Sequence, residues 1–328
     1  MKIRDIGVVI ILVVSAVLFV SGVVRKVSHL RNPEEKAKVL AVIPKGTASM
    51  WWEVVHKGAE KAGVEFGYEI SWIGPEQETD REKQIQVVED AIVKKVSGIV
   101  LGPNDEKALV RPVQKVKRAG IACVIIDSAV NADPADYVSF VATDNLLGGS
   151  QAAHLLGAAV GSGNVLLIKF VQNSASTDAR AEGFRTTLRE HYPDVHIVAE
   201  QYTLGTVEDA RQRTVDMLMK NKDVKGLFAV NQPSSVGAYK ALVSQGLAKK
   251  VRMVGFDSDP ILLEGIANGE VDALVVQNPF EIGYSGVKIL VDSINGKKVP
   301  KKVPIASMVV DSDNLEEIKE KFPAALGL

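Results

Sequence analysis

The chain has 328 residues, enough for two domains at roughly 100–200 residues each. Its 46% hydrophobic and 24% charged residues are ordinary globular values, which exclude wholesale disorder and a fibrous repeat. The net charge of −1 lacks the basic excess of most nucleic-acid-binding proteins, so no nucleic-acid partner is predicted.

The first 26 residues differ in character from the rest. Residues 6–24 (IGVVIILVVSAVLFVSGVV) carry no charge, and Lys2 and Arg4 precede them. A basic start followed by a long apolar run is typical of an export signal, and a helix of this length would span about 28 Å, close to the hydrocarbon thickness of a membrane. We therefore predict that residues 1–26 are a signal peptide or a retained membrane anchor, and that the remainder works in the periplasm or elsewhere outside the cytoplasm.

Short apolar runs and amphipathic stretches alternate from about residue 38 onward. In one amphipathic stretch, residues 80–95, Ile85, Val88 and Ile92 share a helical face behind Asp80, a candidate N-cap. Nine apolar runs have the length and composition of buried strands: 39–43, 69–73, 98–102, 122–127, 164–170, 196–202, 226–230, 252–257 and 273–277. Such alternation predicts an α/β fold with parallel sheets.

The alternation fits two successive arrays, about 38–142 and 143–276. In open α/β sheets, ligands bind beyond the carboxyl ends of the strands, so the residues after each run are the candidate site. These segments are rich in hydroxyl, amide and carboxylate groups and include two adjacent tryptophans: 44–52, 102–105, 127–130, 172–180, 231–235, 257–260 and 277–281. The mixture suits a hydroxyl-rich ligand, which needs donors, acceptors and flat apolar faces.

Each of these side chains also has an ordinary structural interpretation. Trp51 and Trp52 are neighbours on a predicted helix and point about 100° apart, so one of them is expected in the core. Five others could cap turns, bond to backbone or face solvent instead of a ligand: Asp127, Arg180, Asn231, Asp257 and Gln277. Their shared position at strand ends is what favours a joint site.

No catalytic or metal-binding motif is present in the sequence. The chain lacks a P-loop, a G-x-G-x-x-G turn after the first strand, an H-E-x-x-H pair and a G-x-S-x-G elbow. Its five histidines form no metal pattern, and the single cysteine, Cys123, lies in a strand-like run where a free thiol acts as a small apolar group. We therefore predict a binding protein rather than an enzyme, with no cofactor and no metal.

Seven segments follow one another in a recognisable order: VLAVIPKGTASMWWEVVHKGAEKAGVEFGYEI, VIIDSAV, VATDNLLGG, ARAEGF, LFAVNQ, MVGFDSDP and VVQNPFEIG. Together they resemble the ribose-binding-protein group of periplasmic sugar-binding proteins, which are type I periplasmic binding proteins. The resemblance runs from about Lys38 to Leu328. It implies an α/β fold of two Rossmann-like lobes with parallel sheets, joined by a three-segment hinge.

The lobes that this resemblance implies are discontinuous in sequence. The N-terminal lobe takes residues 38–142 and 277–308, and the C-terminal lobe takes residues 143–276 and 309–328. A small-molecule ligand, expected to be a monosaccharide, would be trapped between the lobes as they close. The family also implies delivery of the ligand to an ABC-type permease in the membrane, and we expect the protein to act as a monomer.

The resemblance assigns ten residues to the ligand. The aromatic pair that sandwiches the sugar falls on Trp51 and Trp52. Asp178 could share or take the role of Arg180. Polar contacts fall at Lys45, Ser49, Asp127, Arg180, Asn231, Asp257 and Gln277.

Several positions depart from the pattern of the family. Ser128 stands where an arginine often follows the aspartate, Lys45 replaces a small polar residue, and Gln232 replaces a usual aspartate. Gly205 lies near a position where an aromatic residue is often found. These changes put ribose itself in doubt and leave a sugar or sugar-like ligand as the expectation.

Three other functions compete with sugar delivery. The ligand could be a non-sugar molecule, such as a nucleoside or a small signalling molecule, and ligand closure could be passed to a membrane receptor kinase instead of a permease. A transcription regulator of the lactose-repressor type shares this fold, but it would need an N-terminal helix-turn-helix and a basic surface. The apolar segment 6–24 disfavours that last alternative.

Overall fold

The computed structural model describes residues 38–326, which contain two six-stranded sheets flanked by helices. The first sheet consists of β1 (Val39–Ile43), β2 (Glu69–Trp72), β3 (Gly98–Leu101), β4 (Cys123–Ile126), β5 (Ser139–Thr143) and β11 (Lys302–Ile305). The second consists of β6 (Gly163–Lys169), β7 (Val195–Tyr202), β8 (Val224–Ala229), β9 (Arg252–Phe256), β10 (Ala273–Val276) and β12 (Met308–Asp311). Both sheets belong to one compact unit that begins at Lys38. The predicted export segment 1–26 lies outside the described residues.

The two sheets repeat one strand order. The first runs β11-β5-β4-β3-β1-β2, and the second runs β12-β10-β9-β8-β6-β7. Every neighbouring pair is parallel except β10 and β12, which pair antiparallel. The predicted α/β fold of two largely parallel sheets is thereby confirmed, with β12 as an antiparallel edge.

We call each sheet with its helices a lobe. The helices of the first lobe are α1 (Met50–Phe66), α2 (Arg81–Lys94), α3 (Val110–Arg118) and α9 (Pro279–Ile294). Those of the second lobe are α4 (Asn145–Val160), α5 (Ala175–His191), α6 (Val207–Lys220), α7 (Gln232–Ser244), α8 (Pro260–Ala267) and α10 (Leu315–Lys321). Short 3₁₀ turns cover Pro134–Asp136 and Pro323–Leu326. Among residues 38–326, no helix has the length and apolar character needed to cross a membrane.

The chain passes between the lobes three times. The helix α4 follows β5 of the first sheet but packs on α5 of the second lobe, whereas α9 follows β10 of the second sheet but packs on α1 of the first. The third passage joins β11 to β12. Each passage leaves the carboxyl end of a strand (β5, β10 or β11), and residues that follow strands of both sheets line one common cleft.

The contacts of α1 with α9 and of α4 with α5 each depend on a glycine. A Cβ atom on Gly58 of α1 would lie 2.0 Å from the Phe280 carbonyl oxygen of α9. A Cβ atom on Gly149 of α4 would likewise lie 2.0 Å from the carbonyl oxygen of Arg180 in α5. Only glycine allows backbones to approach so closely, so the Gly149 contact fixes where α5, and with it Arg180, lies.

All nine predicted strands are present, and their ends differ from the predicted limits by no more than two residues. The sequence pattern does not predict β5, β11 and β12. The strand β11 is an exposed edge that contains Pro304, and proline normally argues against a strand. Two lobe limits need a shift of one residue, because Thr143 ends β5 of the first sheet and Met308 begins β12 of the second.

The predicted helix 80–95 is present as α2, and its N-cap is confirmed: the carboxylate of Asp80 accepts a hydrogen bond of 2.9 Å from the Lys83 amide. Its buried face is rotated from the predicted one. Ile85 and Ile92 are half-buried, and the buried residues are Gln84, Val87, Val88 and Ala91. The rotation exists because a glutamine, not an isoleucine, points at the strand ends.

The buried Gln84 side chain fixes two strand ends of the first sheet. Its amide nitrogen donates to the carbonyl oxygens of Pro44 (2.8 Å) and Gly102 (2.7 Å), and its oxygen accepts from the Asn104 amide at 3.0 Å. Three backbone groups that would otherwise lack partners are thus satisfied. Pro44 directly precedes Lys45, so this contact positions a predicted site residue.

Candidate functional site

A cavity lies between the carboxyl ends of the two sheets. Nine of the ten predicted site residues line it: Lys45, Ser49, Trp51, Trp52, Asp127, Arg180, Asn231, Asp257 and Gln277. Five residues that the prediction omits complete the lining: Glu78, Ser176, Thr177, Gln232 and Pro233. We call it the central cavity. The central cavity is narrow. Its volume is about 30 Å³, which is space for roughly two water molecules.

Lys45 connects the two lobes at one side of this cavity. Its ammonium group lies 2.6 Å from a carboxylate oxygen of Asp127 and donates to the Ser176 hydroxyl at 3.0 Å. The Ser176 amide in turn donates to the hydroxyl of Ser128 at 3.1 Å. Because Ser176 belongs to the second lobe and the other three residues to the first, the two bonds of Ser176 form only when the lobes are closed.

A second contact between the lobes lies beside the first. The Glu106 amide donates to the Asn173 carbonyl at 3.0 Å, and the Asn173 side-chain amide donates to Asp105 at 3.2 Å. Asn173 has a φ of 65°, a left-handed conformation that asparagine adopts more readily than most residues. The closed arrangement therefore has its own protein–protein hydrogen bonds.

Asp257 and Gln277 form the opposite side of the cavity, in the second lobe and its passage to the first. The side-chain amide of Gln277 donates to Asp257 at 2.8 Å, and the Gln232 amide donates to the other carboxylate oxygen at 3.1 Å. Gln277 directly follows β10, so it lies in one of the three passages. A ligand held by Gln277 would thus contact the hinge itself.

Arg180 is fixed within the second lobe by four contacts. Its Nε donates to Asn145 at 2.8 Å, and one terminal nitrogen donates to the Val230 carbonyl at 2.9 Å and lies 3.8 Å from Asp257. The guanidinium carbon lies 3.8 Å from the centre of the Phe256 ring. Arg180 is therefore a buried, positioned side chain and not the solvated helix residue that the sequence alone allowed.

The charges of the central cavity nearly balance. Lys45 and Arg180 face Asp127 and Asp257, and Glu78 adds a third carboxyl group. Burial raises the pKa of Glu78, against the opposing attraction of Lys45 and a hydrogen bond from Trp52. Burial likewise raises the pKa of Asp257, although Arg180 opposes it. Lys45 is paired with Asp127 and Arg180 lies 3.8 Å from Asp257, so no cation of the cavity is left over for an anionic ligand.

The two tryptophans differ from the predicted sandwich. Their ring centres lie 4.8 Å apart at an interplanar angle of 82°, so they meet edge to face and do not form two parallel walls around a ring. Trp52 is a core residue with 1% exposure, and its Nε1 donates to Glu78 at 2.8 Å. Trp51 is half-buried. Successive positions on a helix cannot face each other across a gap, which is the physical reason for the correction.

Two buried polar atoms of the lining have no hydrogen-bond partner among the described residues. They are Nε1 of Trp51, a donor, and Oε1 of Gln277, an acceptor. A buried polar group without a partner costs about 1–3 kcal/mol. Both residues line the central cavity, so these two atoms are candidate partners for an occupant.

Asn231 and Ser49 begin helices at the cavity. The side chain of Asn231 caps α7 by accepting a 3.3 Å bond from the Ser234 amide, so its predicted alternative as a backbone partner also holds. Ser49 begins α1 without a side-chain capping bond, which leaves its hydroxyl available. Both side chains lie at helix N-termini, where hydrogen-bond donors of the backbone also point outward.

Asp178 is the one predicted site residue that does not line the cavity. Its carboxylate accepts a 2.9 Å hydrogen bond from the hydroxyl of Tyr202 on β7. Burial and this bond raise the pKa of Tyr202 to about 12. Asp178 and Arg180 are two residues apart on α5, which places them about 200° apart around the helix axis. Their side chains therefore point to different sides of α5, and Asp178 does not share the position of Arg180.

Glu78 could have been found by the same reasoning that identified the other residues. It follows β2 in the segment PEQETD, at a strand end that the prediction left out. Ser176 and Thr177 lie in the first turn of α5, within the segment 172–180 that the prediction included. Their part in the site depends on lobe closure, which no sequence pattern specifies.

Among residues 38–326, no group of three His, Cys, Asp or Glu side chains is arranged to hold a metal ion.

The family model described as "Periplasmic binding protein domain" matches residues 40–298. The chain is 28% identical over 280 residues to the D-allose-binding periplasmic protein of Escherichia coli K12, covering 83% of this chain and 90% of that protein. It is 27% identical over 249 residues to the ribose import binding protein of Salmonella typhimurium, covering 76% of this chain and 82% of the relative.

Solved structures give the same result. A carbohydrate transporter solute-binding protein of Agrobacterium radiobacter, in complex with D-arabinose, has a TM-score of 0.84 at 31% identity, covering 87% of this chain and 98% of the other. An ABC transporter solute-binding protein of Agrobacterium vitis with bound D-fucose has a TM-score of 0.83 at 33% identity, covering 88% and 99%. The family consists of binding proteins and not of enzymes. The chain belongs to the periplasmic binding protein family and is similar to its ribose- and allose-binding members.

Proposed function

We propose that this protein captures an uncharged sugar between its two lobes in the periplasm and delivers it to an ABC-type importer. The family of the chain and the sugars named for its relatives support this function. The residues that line the central cavity would contact the ligand, which is expected to be a monosaccharide. The protein is expected to act as a monomer.

The observation that carries the proposal is twofold: two buried polar atoms of the cavity lack hydrogen-bond partners among the described residues, and the charges of the cavity nearly balance. Nε1 of Trp51 and Oε1 of Gln277 are buried without partners at the same cavity. A hydroxyl group both donates and accepts, so a polyhydroxylated ring can satisfy both atoms at once. An anion would instead find both cations of the cavity already paired with carboxylates.

Capture requires the lobes to open, because the central cavity is narrow in the closed arrangement. Opening breaks the bonds from Lys45 to Ser176 and from Ser176 to Ser128. We propose that sugar hydroxyls take over part of these bonds when the lobes close again. A ligand that contacts both lobes binds the closed state better than the open one and thereby shifts the population toward closure.

Isothermal titration calorimetry tests the proposal. Purified protein is titrated with D-allose, D-ribose, D-arabinose, D-fucose, D-glucose and D-galactose, and with polyols. Binding of at least one sugar is expected, and Asp127→Ala should weaken it strongly. Asp178→Asn changes a carboxylate on α5 outside the cavity and serves as the matched control. Failure of every sugar to bind, or equal loss in both variants, would contradict the proposal.

A further inference from the structure

A second, wider cavity adjoins the central one. Its volume is about 440 Å³, compared with about 30 Å³ for the central cavity. The two cavities share five lining residues: Ser49, Trp52, Glu78, Gln232 and Pro233. We call it the side cavity. The closed lobes therefore leave a wider space next to the central cavity.

Gly205 lies in the wall of the side cavity and is closely packed against its neighbours. This residue has a φ of 88°, and a Cβ atom there would lie 3.1 Å from Cγ2 of Thr79 and 3.4 Å from Cγ1 of Val171. Glycine adopts this conformation without strain, and it adds no side chain to the wall. The cavity thus extends between the loop that follows β2 and the loop that follows β7.

The chemistry of the lining disfavours an anionic occupant and suits hydroxyl donors. Acceptors come from Glu76 and Asp259, whereas the apolar residues Trp52 and Phe170 are buried, with 1% and 2% exposure. None of the lining residues that the structure describes is Lys, Arg or His. A phosphate or carboxylate group would find only like charges here, whereas a sugar can donate its hydroxyls to carboxylates.

We infer that the side cavity binds a second sugar unit, so that the full ligand is a disaccharide with one ring in the central cavity. This inference rests on the proposed function and extends its ligand from the monosaccharide expected there to a disaccharide. The shared residue Gln232 connects the two subsites, since its backbone amide donates to Asp257 at the central cavity and its side chain donates to Asp259 at the side cavity, at 3.1 and 2.9 Å.

The test compares each disaccharide with its own constituent monosaccharides. Cellobiose, maltose, lactose, melibiose and sucrose are titrated calorimetrically beside D-glucose, D-galactose and D-fructose. At least one disaccharide is expected to bind about tenfold more tightly than its monosaccharides, which corresponds to about 1.4 kcal/mol. Phenyl β-D-glucoside is included because tighter binding of this aryl glycoside than of any disaccharide would overturn the second sugar unit as the occupant.

Ala48→Trp places a large ring in the side cavity from an exposed position and leaves the central lining unchanged. It should remove the advantage of the disaccharide and preserve the affinity for the monosaccharide. Val64→Trp, at an exposed position of α1 outside both cavities, is the matched control and should change neither affinity. Monosaccharide binding without any disaccharide advantage would overturn the inference alone. Absence of all sugar binding would overturn the proposed function with it.

Discussion

Asp127 and Asp257 occupy equivalent positions in the two lobes. Asp127 follows β4 and Asp257 follows β9, with φ angles of 60° and 65°. Each backbone amide donates to a valine of the next strand, at 3.0 Å to Val141 and at 2.9 Å to Val275. Left-handed backbone at a non-glycine residue is uncommon and is better tolerated by aspartate than by most residues. The repeat turns both carboxylates into one cleft, where each meets a different cationic partner.

The equivalence predicts similar losses from both positions. Asp127→Asn and Asp257→Asn each replace a charged acceptor in the central cavity by a neutral amide. Because hydrogen bonds to charged groups contribute about 1.5–3 kcal/mol, each change should weaken sugar binding about 10- to 100-fold by calorimetry. Circular dichroism checks that both variants remain folded. A variant that keeps full affinity would remove its carboxylate from the site.

Ser176 should matter for closure more than for folding. Ser176→Ala removes the acceptor for Lys45 across the cleft and leaves the Ser176 amide bond to Ser128 intact. A loss of about 0.5–1.5 kcal/mol is expected in sugar binding, that is, up to about tenfold in affinity. The thermal midpoint without ligand should change little.

Ser174→Ala is the matched control for this prediction. Ser174 is also buried, precedes the same helix and has a hydroxyl without a partner among the described residues. Its replacement should leave sugar affinity unchanged. Equal effects of the two variants would show that the Lys45–Ser176 contact has no special part in closure.

Gln84 is expected to contribute to stability because three backbone groups depend on it. Gln84→Leu preserves the size of the side chain but leaves the carbonyls of Pro44 and Gly102 and the amide of Asn104 without partners. The free energy of unfolding should fall by about 2–4 kcal/mol in urea denaturation. Gln86→Leu, on the exposed side of the same helix, should change it by less than about 0.5 kcal/mol. Equal effects would contradict this assignment.

Glu78 predicts a pH dependence of stability. Because burial raises its pKa, the folded protein binds the proton more tightly than the unfolded chain, whose carboxyl has a pKa of about 4.3. Its contribution to stability therefore falls as the pH rises from the unfolded pKa through the folded one. Glu78→Gln does not titrate and retains an oxygen that can accept from Trp52.

Urea denaturation at several pH values between about 4 and 7 measures this effect. The free energy of unfolding of Glu78→Gln minus that of the wild type should increase as the pH rises. A difference that decreases with pH would mean that the carboxylate is stabilised by its surroundings and that its pKa is not raised.

The sequence predicted most of the fold because its buried strands are short, continuous apolar runs. Where that signal weakens, the prediction fails. The edge strands β11 and β12 pair with the sheet on one side only, and Pro304 interrupts the pattern of β11. The sequence does not predict the rotation of α2, because a glutamine is expected at the surface unless its three backbone partners are known.

The site was predictable to the extent that strand position determines it. The side chains of Asp127, Asp257 and Gln277 directly follow buried strands, and the parallel sheets bring them together. Contacts that depend on tertiary geometry were not predictable. Asp178 and Arg180 are two residues apart, but only the fold reveals that Tyr202 holds one outside the cavity and Asn145 holds the other within it.

A crystal structure with the sugar that binds most tightly in calorimetry tests the central claim most directly. We predict the sugar between the lobes, within hydrogen-bond distance of Oε1 of Gln277 and of at least one of the carboxylates of Asp127 and Asp257. Lys45 should then contact the ligand as well as Asp127. A sugar bound outside the cleft, or one that contacts a single lobe only, would contradict the account.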